Sequence, residues 1–286
     1  MTPSPLVSVV VPVRNGERTI GDCVEALLAG DFPAERREIV VVDNASTDRT
    51  AEIAARYPVR LVHEPRVGRS HARNRGIAAG QGEIVAFTDA DCVAAPAWLR
   101  LLVEACGAPG ISGAAGEVLP DPPVTAAQRY MARRDRNWQA EVLSLRERFA
   151  ITANVAFRRE VFDRVGLFDP EFVTAEDVDF GWRFFGAGLE LVYVPDATVA
   201  HRLRAGPMEL FRQQAGLGYG RALLRERYDL RPDYALPTWP ELRGSARALA
   251  AALARRSRGD DLAFAFYEVV LGAGLRAGAL RRVLTR

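Results

Sequence analysis

Glu83-Ile84-Val85-Ala86-Phe87-Thr88-Asp89-Ala90-Asp91 is the stretch on which the fold turns. A short apolar run that stops abruptly at acidic residues fits a strand covered on both faces, because a strand wetted on one face alternates polar and apolar residues. Two other runs share this character. Val7 to Val13 is apolar apart from Ser8 and Pro12, and Ile39-Val40-Val41-Val42 runs straight into Asp43. Val59 to His63 reads as a further strand. Helical segments are predicted between them, at about Thr19 to Ala29 with Gly30 as the stop, Ser46 to Arg56 and Ser70 to Gly80. Strands alternating with helices predict an α/β fold, a Rossmann-like, mostly parallel sheet with crossover helices on its faces. Ligands of such sheets bind beyond the carboxyl ends of the strands. Asp43, Asp89 and Asp91 stand at those ends.

After about Leu119 the pattern changes. Pro120-Asp121-Pro122-Pro123 signals a turn or linker, and an Arg-rich helical stretch follows to about Arg148. Strands are expected at Ile151 to Arg158 and Leu189 to Val194, with a helix at about Asp177 to Gly186 between them. Two helices, about Glu241 to Arg256 and Asp260 to Leu284, close the chain.

The formal net charge of the 286 residues is +2, which gives no bulk electrostatic case for a nucleic-acid partner. Every cationic side chain is Arg. Three cysteines with no CxxC spacing argue against a disulfide framework and a structural zinc site, and for a reducing compartment. The first residues lack the basic region of a signal peptide, and no uninterrupted apolar stretch approaches the roughly 20 residues of a membrane span. A cytoplasmic location is the expectation.

At the end of the second strand, Ser46 or Thr47 is expected to cap the next helix, with Asp48 favourable to its dipole. Asp43 lies before that cap, where a carboxylate can accept hydrogen bonds from a base or ribose. Asp89 and Asp91, one residue apart, would repel each other unless a cation or hydrogen-bond donor sits beside them. Mg²⁺ and Mn²⁺ favour such oxygen ligands and complete their shells with phosphates.

Five segments occur in one order: Val9-Val10-Val11-Pro12-Val13-Arg14-Asn15, Val42-Asp43-Asn44-Ala45-Ser46-Thr47-Asp48, Ala72-Arg73-Asn74-Arg75-Gly76, Thr88-Asp89-Ala90-Asp91 and Ala175-Glu176-Asp177. Together, over about residues 7–205, they resemble the family 2 glycosyltransferases, which have the GT-A fold. The resemblance implies a nucleotide-sugar donor (UDP-, GDP- or dTDP-linked), Mn²⁺ or Mg²⁺, and inverting transfer to an acceptor hydroxyl. It implies that Pro12, Val13 and Asn15 line the nucleotide pocket and that Asp43 contacts base or ribose. Arg73, with Arg69, would approach the pyrophosphate or base. Asp89 would serve the ribose or donor sugar, with Ala90, Asn154 and Glu176 also on the donor side. Asp91 would hold the metal. The family commonly has a second acid where Asn44 stands, which leaves base preference open. Residues 1–118 would then form the nucleotide-sugar half, 119–236 the acceptor and catalytic half, and 237–286 a helical extension.

Asp177 is the candidate general base, since an attacking hydroxyl needs a carboxylate on the acceptor side of the anomeric carbon. The alternative is an acidic helix start, with Trp182 and Phe185 as core residues. His201, after the strand near Val194, is a candidate metal ligand beside a structural alternative. His63 and His71 read as local contacts. The Arg pairs 133–134, 255–256 and 281–282 read as solvated faces. For Leu262 to Leu280 three readings stand: packing on the protein's own core first, then a dimer contact or peripheral membrane contact at the inner face. Two other functions remain open, a nucleotidyltransferase on the same fold and a non-catalytic nucleotide-sugar-binding protein. Against the former, Val13-Arg14-Asn15-Gly16-Glu17 is a poor Gly-rich phosphate loop.

Overall fold

The computed structural model describes residues 7–134, 138–230, 239–254 and 260–285. The Arg255–Arg256 pair lies outside them. In chain order, β1 (Val7–Val13), α1 (Ile20–Ala29), β2 (Arg37–Asp43), α2 (Thr50–Ala54), β3 (Arg60–His63), α3 (Arg69–Ala79) and β4 (Ile84–Phe87) alternate as expected. There follow β5 (Cys92–Ala94), α4 (Trp98–Cys106), β6 (Ile111–Pro120), α5 (Ala126–Arg134), α6 (Trp138–Ser144), β7 (Val155–Arg158), α7 (Glu160–Val165), α8 (Glu176–Gly186) and β8 (Glu190–His201). The chain ends with α9 (Pro207–Arg227), α10 (Trp239–Ala254) and α11 (Asp260–Leu284).

The strands form one sheet in the order β3-β2-β1-β4-β7-β6-β8-β5. β3, β2, β1 and β4 run parallel, and β7 enters antiparallel between β4 and β6. β5 pairs antiparallel with β8. The uninterrupted apolar character of β1 has its cause here. Val7, Val9, Val11 and Val13 face α1 and α4, where they meet Ile20, Val24 and Leu102. Val10 faces the other side, in the buried cluster that also holds Ala72 and Ile77 of α3 and Phe180 of α8. Burying each such side chain contributes roughly 1.5–3 kcal/mol. A side chain at position 76 would collide with Val10, so Gly76 lets α3 press directly onto β1.

The helix expected at Ser46 to Arg56 is only Thr50–Ala54, and neither Ser46 nor Thr47 caps it. Their polar groups are spent elsewhere. Ser46 Oγ accepts the Asn15 amide at 2.9 Å, and the Thr47 amide donates to Asn15 Oδ1 at 2.8 Å. Asp48 Oδ1 instead accepts the Thr50 amide at 3.0 Å. This loop is thus bonded onto the β1–α1 loop rather than wound into helix. β6 escapes the sequence pattern because its small residues, Gly113 to Gly116, have weak strand preference. Pairing of Gly113 to Ala115 with β7 holds it in the sheet.

The chain divides into two compact units. The first comprises Met1–Leu119, Asn137–Glu171 and Glu176–Arg202 and contains the sheet. The second comprises Pro120–Arg136, Phe172–Ala175 and Leu203–Arg286 and is helical. In it, Tyr130 of α5 stacks on Tyr267 of α11 with centroids 5.7 Å apart, beside buried Leu210 and Leu271.

Candidate active site

All the candidate residues belong to the first unit. The parallel register sets Val13 of β1 beside Asp43 of β2, and Asp43 beside His63 of β3. Asp43 is buried. Its Oδ1 accepts the Ser46 amide at 3.2 Å, and its Oδ2 lies 3.2 Å from His63 Nδ1. Pro12 is half-buried and Val13 buried beneath, while Asn15 is exposed in the left-handed region at φ 54°. Ala45, at φ 53°, and Ala175, at φ 65°, are left-handed as well. Each such residue costs about 1–2 kcal/mol, and the first lies just past Asp43, the second just before Glu176.

Asn44 is buried and makes three bonds. Its Nδ2 donates to the Glu64 and Arg66 carbonyls at 3.1 and 2.7 Å, and its Oδ1 accepts the Gly68 amide at 2.8 Å. It thereby fixes the loop that delivers α3. The carboxylate common at this position could accept but not donate, and two carbonyls face it.

α3 carries Arg69 and Arg73 to the site in different states. Arg69, the first helical residue, is exposed. Arg73 is almost wholly buried, with Nη1 on Glu176 Oε1 and Nη2 on Asp89 Oδ1 at 3.0 Å. Its guanidinium also stacks on Phe168, 5.8 Å from the ring centroid. Burial works to raise the Asp89 pKa, but the charges of Arg73, Arg69 and His201 prevail and hold it below the usual carboxylate range. The neighbouring Asp177, at the start of α8, is half-buried. Burial, and then the charge of Glu176, push it up to about 7 against the opposing pull of Arg73 and Arg69.

β5 and β8 pair Cys92 with His201, which brings Asp91 Oδ1 to 3.6 Å from His201 Nε2. Among the described residues no three acidic, His or Cys side chains converge on one point. Two donors at this separation can still share one cation, since ligands about 2.1 Å from it lie up to roughly 4.2 Å apart. The pair fits an ion that takes its remaining ligands from a substrate.

Asn154 is the residue expected on the donor side. It is wholly buried, with Oδ1 accepting Trp98 Nε1 at 2.7 Å and Nδ2 donating to the Glu117 and Ala197 carbonyls at 2.8 and 2.7 Å. These bonds tie α4, β6 and β8 together. Ala90 is buried in the core between Asp89 and Asp91. Trp182 and Phe185, expected in the core, lie at its edge, with Trp182 Nε1 bonded to the Glu147 carbonyl at 2.9 Å. Sequence reasoning missed the anchoring role of Asn44 and the bridging role of Arg73. Neither leaves a local signal, because each depends on partners distant in the chain.

A parallel sheet with acids at its strand ends, continued by an antiparallel half carrying an Asp–His pair, agrees with the GT-A fold of nucleotide-sugar transferases. The family model for glycosyl transferase family 2 matches residues 8–166, and the chain belongs to that family. It is 32% identical to the glycosyltransferase AglE of Haloferax volcanii over 82% of this chain and 80% of that protein. It is 28% identical to the pre-mycofactocin glycosyltransferase of Mycobacterium tuberculosis over 81% of this chain, spanning 49% of that protein. Among solved structures, it resembles the mannosyltransferase PcManGT of Pyrobaculum calidifontis, in complex with GDP-Man and Mn²⁺. There the TM-score is 0.67 at 24% identity, covering 100% of this chain and 89% of the other. Glucosyl-3-phosphoglycerate synthase of Mycobacterium tuberculosis, solved with Mn²⁺, UDP and phosphoglyceric acid, gives 0.56 at 22% identity over 79% and 80%.

Proposed function

We propose that this glycosyltransferase moves a hexosyl group from a nucleoside-diphosphate sugar to an acceptor hydroxyl with inversion, Asp177 acting as general base. The observation that carries the reading is the state of Asp177: a half-buried carboxyl raised to about 7 beside the Arg73–Asp89–Glu176 ion cluster. A base is most effective when its pKa lies near the working pH, because it is then both available and strong enough to take the proton. Removing the acceptor proton as its oxygen attacks the anomeric carbon from the face opposite the leaving group inverts that carbon.

On the donor side, Asp43 receives the base or ribose, with Pro12, Val13 and Asn15 forming the rest of that wall. Arg69, exposed at the start of α3, is the cation for the diphosphate. Arg73 is committed to Asp89 and Glu176, so its part is to hold Asp89 ionised and aimed at the sugar or ribose. Asp91 and His201 would hold Mn²⁺ or Mg²⁺. Such an ion, when bound, neutralises the charge that develops on the departing nucleoside diphosphate. The three cysteines are buried free thiols, which supports a cytoplasmic setting.

The test is transfer, or slow donor hydrolysis, with UDP-, GDP- and dTDP-sugars, the anomeric configuration of the product being read by NMR. Asp177→Asn should abolish transfer while retaining donor binding. Wild-type turnover in that variant, or a retained configuration, defeats the proposal.

A further inference from the structure

The near-neutral total charge conceals an uneven distribution. The segments of the helical unit contain 19 Arg against 10 acidic residues, a net +9, whereas the rest of the chain has 19 Arg against 26, a net −7. Nothing in the transfer reaction calls for this excess.

α11 has two faces of opposite character. Tyr267, Leu271, Gly274 and Gly278 recur at helical spacing and are buried. α9 lies so close to them that a side chain at Gly278 would run into the Ala215 carbonyl. On the opposite side Leu262, Phe266, Val269, Ala273, Leu280 and Leu284 form an apolar stripe. Phe266 is 42% exposed, Leu280 61% and Leu284 83%. Of the three acids of α11, Asp260 binds Arg129 at 2.8 Å, and Glu268, although exposed, accepts the Tyr130 hydroxyl away from this stripe. Asp261 is exposed at the helix start. Arg281 beside the stripe and Arg243 and Arg247 on α10 are exposed.

α11 is 25 residues long and contains an 18-residue window with a mean hydropathy of 1.3, enough by length and composition to cross a bilayer. Its glycine face is occupied by α9, and α5 and α10 also pack on the helix. Phe266, Leu280, Val283 and Leu284 are left exposed for another surface, which favours lying in an interface. A second copy would set +9 against +9. An anionic surface attracts the same charge. We infer that the helical unit docks on an anionic lipid surface through the outer face of α11, with the exposed arginines meeting the headgroups.

The test is flotation of the full chain with vesicles of phosphatidylcholine, with and without phosphatidylglycerol. Neither donor nor acceptor is present, so the outcome is independent of the transferase proposal. The chain should float with the anionic vesicles and be released as salt is raised. Leu280→Glu combined with Leu284→Glu should weaken binding by about tenfold or more without changing thermal unfolding, since both positions are largely exposed. The inference is overturned if the wild type does not float at low salt or if the double variant floats equally well. It is also overturned if sedimentation shows a dimer that the double variant abolishes, because the stripe would then be covered by a second copy.

Discussion

Arg73 and Glu176 stand 103 residues apart in the chain and form an ion pair in which neither side chain is more than 3% exposed. The same guanidinium binds Asp89, so one cation links the strand end after β4 to the start of α8. Among the described residues, Arg73 Nε and Glu176 Oε2 have no hydrogen-bond partner. A buried charge left alone is far costlier than the net worth of its pair. Arg73→Ala should therefore destabilise the protein by about 3–5 kcal/mol, measured by urea unfolding. A loss below about 1 kcal/mol would mean that Glu176 finds water or another donor.

A base removed from transfer should cost about 10²–10⁴-fold in kcat. Asp177→Asn is expected in that range, with donor affinity by thermal shift nearly unchanged. In the wild type, kcat/KM should rise with pH and level off above about 7, as Asp177 loses its proton. A flat profile between pH 5 and 9 (roughly the range spanning this titration) would remove Asp177 from the role.

The same carboxyl makes a prediction about stability. Between its ordinary value of 3.8 and the folded value of about 7, the native state holds a proton that the unfolded chain releases. Stability must then fall as pH rises through that window. Asp177→Asn lacks the titration, so it should match the wild type near pH 4 and exceed it above pH 7, by about 1–4 kcal/mol. Equal unfolding curves at both ends would show that Asp177 titrates normally.

The Asp91–His201 pair is checked by ligand-dependent stabilisation. Mn²⁺ should raise the Tm of the donor-bound wild type through mass action. Asp91→Asn should lose that increment. His201→Ala, which keeps the carboxylate, should weaken it by about 10–100-fold in apparent metal affinity. An undiminished Mn²⁺ effect in both variants would move the ion elsewhere.

The strands around the site were legible because double-sided burial leaves a plain mark: no charge anywhere in 84–87 or 39–42, then acids at once. The acids themselves were legible for the same reason, since an abrupt change in polarity marks a strand end. The bonds of Asn154 are not legible in the sequence, because an amide among small neighbours looks the same whatever partner receives it. The burial of Arg73 is created by α8 and Phe168, which no local pattern announces. α4 and β6 went unread for related reasons. The amphipathic stripe of α4 is only nine residues long, and the centre of β6, Gly113 to Gly116, is alanine and glycine.

Asn44 shows how such a hidden contact becomes testable. The residue sits where related enzymes commonly have a carboxylate, yet here its Nδ2 donates to two carbonyls, of Glu64 and Arg66. Asp in its place would keep the bond to the Gly68 amide but turn an acceptor toward two acceptors. Each buried group left without its partner costs about 1–3 kcal/mol. Asn44→Asp should thus lower unfolding stability by about 2–5 kcal/mol and speed amide exchange in residues 64–68. Because that loop leads directly into Arg69, donor KM should rise while the pH profile set by Asp177 stays in place. Were the position merely a base contact, KM would change with no loss of stability, and exchange in the loop would be unaltered.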